Sequence, residues 1–131
     1  MENSGNPERG RDATLAPVEQ LHWVRHGDEY ETAVLSGDPE RPGDSYVMRY
    51  RVLVACDVPP HSHPEDEHAT VIAGEISVGL GRKFLADALR PLTAGSYALI
   101  PRNLPHFTRY AAGTIVQVHG IGPLVVNYLA Q

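Results

Sequence analysis

Apolar and polar residues alternate along much of the chain with a period of two. The clearest case begins at Tyr46. Tyr46, Met48, Tyr50 and Val52 fall on one face and Arg49 and Arg51 on the other, the pattern of a half-buried strand. It predicts a strand from Tyr46 towards Cys56, stopped by Asp57-Val58-Pro59-Pro60. Glu31 to Leu35 reads as an earlier strand ending in the turn cluster Ser36-Gly37-Asp38-Pro39, and His22-Trp23-Val24 as a first strand or edge. Ala69 to Leu80 is extended, with breaks at Gly74 and Gly79. Tyr97–Ile100, His106–Tyr110, Thr114–His119 and Leu124–Leu129 complete the strands, and Phe84–Leu89 is the one place for a helical turn. About eight to ten short strands separated by Gly/Pro turns predict an all-β barrel or sandwich.

Composition fits this picture. The 131 residues include 12 Gly and 11 Pro, which suits many tight turns and leaves room for one domain. Residues 1–20 are polar and without apolar periodicity, and read as a flexible N-terminal arm ahead of a single barrel domain at 21–131. No apolar run approaches the ~20 residues of a membrane helix. The N-terminus lacks the basic-then-apolar pattern of a signal peptide, so a cytoplasmic location is the default expectation. A net charge of −5 without a basic stripe argues against nucleic acid, whose phosphates demand cationic partners. The single cysteine, Cys56, excludes an internal disulfide and sits in an apolar run as a small core residue would.

The chemistry concentrates in Pro60-His61-Ser62-His63-Pro64-Glu65-Asp66-Glu67. On an extended segment, residues two apart share a face, so His61 and His63 can bind one ion together, and the flanking prolines favour extension. Glu67 follows closely enough to return to the same centre. A second stretch, Gly95 to His106, adds a histidine after a strand and a turn.

These two stretches resemble the two motifs of the cupin family. The first runs Gly, five residues, His-x-His, three or four residues, Glu, six residues, Gly; His61, His63, Glu67 and Gly74 keep every spacing, with Ala55 in place of the leading Gly. The second runs Gly, five residues, Pro-x-Gly, two residues, His, three residues, Asn; Gly95, Pro101 and His106 fit, with Asn103 for the inner Gly and Tyr110 for the final Asn. Asn tolerates a left-handed backbone better than other side chains, so the Asn103 exchange is mild.

The resemblance implies a double-stranded β-helix, or jelly-roll, with a short N-terminal arm and one divalent ion inside, held by His61, His63, Glu67 and His106. Ligand type alone does not choose among Fe, Zn, Ni, Mn and Cu. Glu65 is an alternative carboxylate, and His68 should point away from the ion by alternation from Glu67. Candidate catalytic groups are His119 and Gln117 on the last long strand and Tyr50 on the apolar face of its own strand. For His119 and Gln117 the opposite orientation, with Val116 and Val118 inward, is the ordinary pattern.

The family resemblance further implies a small-molecule enzyme, with an O2-using dioxygenase acting on an enolisable or phenolic substrate in first place. A non-redox Lewis-acid isomerase, cyclase, decarboxylase or lyase is the alternative, and a metal-containing sensing module without catalysis a third. A homodimer is expected, because barrels of this family associate through edge strands and the N-terminal arm has the length to reach a partner.

Overall fold

The computed structural model describes residues 12–130. Residues 1–11 of the predicted arm lie outside the described residues. Eleven strands occur among the rest: β1 (Val24–His26), β2 (Tyr30–Gly37), β3 (Ser45–Val52), β4 (Cys56–Ser62), β5 (Glu67–Ala73), β6 (Glu75–Leu80), β7 (Arg90–Thr93), β8 (Tyr97–Ile100), β9 (His106–Tyr110), β10 (Ile115–Ile121) and β11 (Asn127–Tyr128). The helical content among the described residues is two 3-10 turns, Val18–Gln20 and Ala86–Ala88. None of it is long or apolar enough to cross a membrane.

The strands form two antiparallel sheets, one of six strands ordered β1-β2-β3-β10-β5-β8 and one of five ordered β11-β4-β9-β6-β7. Consecutive strands β4, β5 and β6 alternate between the sheets, so the chain winds as a double-sheet jelly-roll. Gly74 makes the switch from β5 to β6. Its φ is +79°, and a Cβ there would sit 2.5 Å from Thr114 Oγ1.

The alternation at Tyr46 sets the core. Tyr46, Met48, Ala69, Val71, Ile76, Val116 and Val118 pack together between the sheets, and all are buried. A second packed site lies on the outer side of the five-stranded sheet. Phe107 is fully buried there beneath Phe84, whose ring centroid is 4.9 Å away. Gly79 lies opposite Phe107 across β6–β9, and a Cβ at Gly79 would meet that ring at 2.2 Å. The missing side chain is therefore what admits the phenyl group.

On the outside of the six-stranded sheet, Trp23 lies under the Arg51 guanidinium, 4.0 Å from ring centroid to cation. Arg51 also reaches Glu31 at 2.7 Å. Together they fasten the β1 end of the sheet.

Two expectations change, and one strand is added. β3 ends at Val52, and Cys56 opens the next strand, half-buried on a cavity wall and not in the core. Pro59 and Pro60 do not stop that strand, because the β4–β9 register skips between Val58 and His61 and the ladder asks no amide of them there. β7 is an additional strand, short and mostly exposed, whose Pro91 and lack of alternation hide it in the sequence.

Candidate metal centre

The five-stranded sheet brings the histidines together. His61 lies directly opposite His106 across β4–β9, and His63 follows just past the end of β4. All three are buried, 2–6% exposed, and one ring nitrogen of each lies within 4.8 Å of the other two. Ring centroids are 4.2 Å apart for His61–His106, 5.0 Å for His61–His63 and 5.1 Å for His63–His106.

Each ring is oriented through its Nδ1. His61 donates to Pro59 O at 2.8 Å, His106 to Leu104 O at 3.0 Å and His63 to Val125 O at 2.8 Å. A carbonyl only accepts, so these bonds place the proton on Nδ1 and leave Nε2 as the lone-pair donor. Burial and neighbouring rings disfavour charge on His61 and His106. Burial is the main cause that pushes the His106 pKa down to about 4, with His61 and His63 adding to it; burial also lowers that of His61. Neutral, converging imidazoles are what a transition-metal ion requires.

Glu67 comes from the other sheet, at the start of β5. Its Oε1 is 3.6 Å from His63 Nε2. Burial raises its pKa, and the His63 ring pulls it back. It stands beside the three-histidine group, near enough to join an ion's coordination sphere after a small side-chain movement. The donor set of three oriented imidazoles and one carboxylate thus fits the expected divalent ion.

The two motif loops are joined directly. Asn103 N donates to His63 O at 2.7 Å, and Asn103 has φ +66°, the left-handed backbone that the inner Gly of the motif would supply.

The histidines form one wall of a cavity of about 390 Å3. Much of the remaining lining is aliphatic and aromatic, with Val52, Val58, Ile76, Val78 and Val116 alongside Tyr30, Tyr50, Tyr110 and Tyr128, while Glu29, Asp57 and Thr108 add polar groups. Burial first, and the nearby Glu67 carboxylate second, raise the pKa values of Tyr50 and Tyr110, and that of core Tyr46 to about 12. Their hydroxyls stay protonated at neutral pH. Thr108 Oγ1 is buried on the cavity side of β9 without a partner at hydrogen-bonding geometry, although the Tyr110 phenol lies near it.

Tyr50 lines the cavity, as the apolar face of its strand predicts. Gln117 and His119, the other two candidate catalytic groups, do not. Val116 and Val118 face inward, 2% and 4% exposed, and the polar pair points out of the opposite side of the sheet. Gln117 accepts a hydrogen bond from Arg49 Nε at 3.0 Å, and His119 stacks on His68. The resemblance-based inward placement is overturned by simple alternation. Glu65 lies outside the cavity, in a surface hollow with Asp66, His68 and Arg102.

Tyr110, Thr108, Tyr30 and Tyr128 were missed as cavity groups. For the first two a signal existed, since positions 108 and 110 follow His106 at a period of two.

A scan against protein-family profiles and a comparison with curated protein sequences matched nothing. Comparison with solved structures did match. KdgF from Halomonas sp. superposes with a TM-score of 0.66 at 13% identity, covering 85% of this chain and 96% of that one. The polyketide cyclase RemF from Streptomyces resistomycificus gives 0.67 at 18%, covering 92% and 87%. An RmlC-like cupin from Shewanella frigidimarina gives 0.65 at 16%, covering 85% and 93%. Together with the two sheets and the histidine group between them, these likenesses establish that the chain has the cupin fold.

Proposed function

We propose that the protein is a metal-dependent enzyme acting on a small enolisable or phenolic substrate bound to the ion through its oxygens. The observation that carries this reading is the cavity's division: three converging imidazoles with Glu67 at one wall, and the protonated phenols of Tyr50 and Tyr110 among aliphatic side chains over much of the rest. A divalent ion held by His61, His63, His106 and Glu67 supplies a Lewis acid with positions left for oxygen ligands. The chain's own groups do the rest. Tyr50 and Tyr110 offer hydroxyl donors to a substrate oxygen on which negative charge develops. Glu67, as a ligand to the ion, would serve as a carboxylate, so proton donation falls to the two phenols. The valine and isoleucine walls exclude water and fit a flat carbon skeleton.

Two versions share this machinery. In the non-redox version the protein moves protons on an enolate, as an isomerase or cyclase does, and the tyrosines around Glu67 favour it. In the oxidative version a redox-active Fe, Ni or Cu and O2 take part, and the three-histidine, one-carboxylate donor set favours it. The deciding experiment is turnover of a panel of metal-chelating enols and phenols by Zn2+-loaded and Fe2+-loaded protein, with and without O2. Turnover by the Zn2+ form without O2 supports the first version, and strict dependence on Fe2+ and O2 the second. Absence of metal uptake would overturn both. A homodimer goes with this reading, and light scattering that returns the mass of one chain would refute it.

A further inference from the structure

The three imidazoles are not held in the same way. His61 and His106 donate to carbonyls two residues earlier in their own segments. Those bonds come with the local backbone. His63 donates to Val125 O, 62 positions further along the chain. The orientation of one ring out of three thus depends on where the C-terminal segment lies.

That segment is a strap laid against the edge of the five-stranded sheet. Upstream it is anchored well, by Gly122 N to Asp44 O at 2.7 Å and Leu124 N to Pro39 O at 2.6 Å, and the Leu124 side chain packs on the core. Beyond Leu124 the hold is slight. β11 pairs with β4 at two positions, Asn127 with Ser62 and Tyr128 with His61, and Leu129 N donates to Pro60 O at 3.1 Å. Val125, Val126 and Tyr128 are 40%, 42% and 63% exposed. A segment with so little burial opens at small cost relative to the barrel. Val126 and Tyr128 nevertheless line the cavity, and the Tyr128 ring lies 5.9 Å from that of His61.

We propose that residues 125–129 act as a positioning strap for His63, and that docking of the strap and metal binding are coupled. The inference rests on the metal-centre reading above. When the strap is down, Val125 O fixes the His63 proton on Nδ1 and presents Nε2 to the ion. When it lifts, that constraint is lost while those on His61 and His106 remain. Linkage makes the effect reciprocal: by whatever factor docking tightens metal binding, metal tightens docking. The strap also forms part of the cavity wall, so an empty centre loosens the wall of the chamber it serves.

The test uses the full chain, a chain ending at Leu124, and Leu129→Pro, which removes the amide bonded to Pro60 O without altering a cavity residue. Zn2+ alone is the probe. Both variants are expected to bind Zn2+ roughly tenfold to a hundredfold more weakly, the range for losing such an outer hydrogen bond. In metal-free protein, 15N spectra of the imidazoles should show His63 leaving the Nδ1–H tautomer while His61 and His106 keep it. In the full chain, Zn2+ should slow amide exchange at Leu129. Unchanged affinity and an unchanged His63 tautomer in the shortened chain would overturn the proposal. If that chain fails to fold, Leu129 exchange in the full chain decides, and exchange indifferent to Zn2+ overturns it. Failure of the full chain itself to take up Zn2+ would instead strike the underlying metal reading, and the metal-free tautomers would still judge the strap.

Discussion

His68 and His119 stack across β5 and β10, with ring centroids 4.5 Å apart and planes 6° from parallel, on the side of the sheet away from the cavity. His68 Nδ1 lies 2.5 Å from the Tyr97 hydroxyl, which occupies it from the other side. Partial burial and the neighbouring His68 lower the His119 pKa, yet no part of it reaches the metal centre. Replacing His119 with Ala should leave metal content and turnover within twofold of wild type. A loss of turnover of a hundredfold would return His119 to the machinery.

The opposite is expected of the inner pair. His61→Ala combined with His106→Ala removes two of three imidazoles and leaves Glu67 and His63 to hold the ion. Metal content by elemental analysis should fall below a tenth of an equivalent per chain, because two ligands seldom retain a divalent ion against water. Full occupancy in the double variant would discard the centre.

Tyr50→Phe keeps the ring and removes the hydroxyl that faces the cavity. Metal content should be unchanged. Turnover of whichever enol or phenol the wild type accepts should fall by about 10²-fold, the lower end of what a positioned proton donor contributes. If kcat stays within threefold, the phenol is only part of the wall.

Acid should destabilise the metal-free protein through its buried histidines. An unfolded histidine takes a proton as pH falls through 6.5, whereas folded His106 holds out to about 4, and His61 shifts in the same direction. Between those values the unfolded chain binds more protons, so stability is full above pH 6.5 and declines towards pH 4. Glu67 acts with the opposite sign because its folded pKa is raised. Urea midpoints should therefore drop from pH 7.5 to pH 5, and drop more steeply in Glu67→Gln. A flat profile would mean that the rings are solvated.

Away from the site, Gly79→Ala should destabilise by about 1–3 kcal/mol, because the added methyl group would overlap the Phe107 ring. Phe107→Ala should cost about 3–5 kcal/mol through the cavity it leaves. If the clash explanation holds, the double variant is less destabilised than the sum of the two, and denaturant melts measure that difference.

Much of the barrel was legible because one face of each central strand is buried. Tyr46, Met48 and Val52 declare the β3 face by period alone, and Val116 and Val118 do the same for β10. The spacings of His61, His63 and His106, read through their resemblance to the cupin motifs, pointed to three side chains that β4 and β9 do bring together. Less legible features depend on pairing. A proline reads as a strand breaker until the partner strand is seen to skip a register at Pro59 and Pro60. Tyr30, Tyr110 and Tyr128 come from three strands that meet only in the fold, so no local pattern groups them. The tie between His63 and Val125 is of the same kind, a side chain meeting a backbone carbonyl whose sequence context says nothing about histidine.

The protein has a single tryptophan, and Trp23 sits on Arg51 at the β1 end of the outer sheet face. Intrinsic indole fluorescence is therefore a reporter of whether the first strand remains attached, and the ring is not among the residues that line the cavity. Emission that holds steady while the ion is stripped, then shifts in denaturant, would register two separate events, so a dye-free titration can follow the peeling of the amino-terminal edge without interference from the chamber.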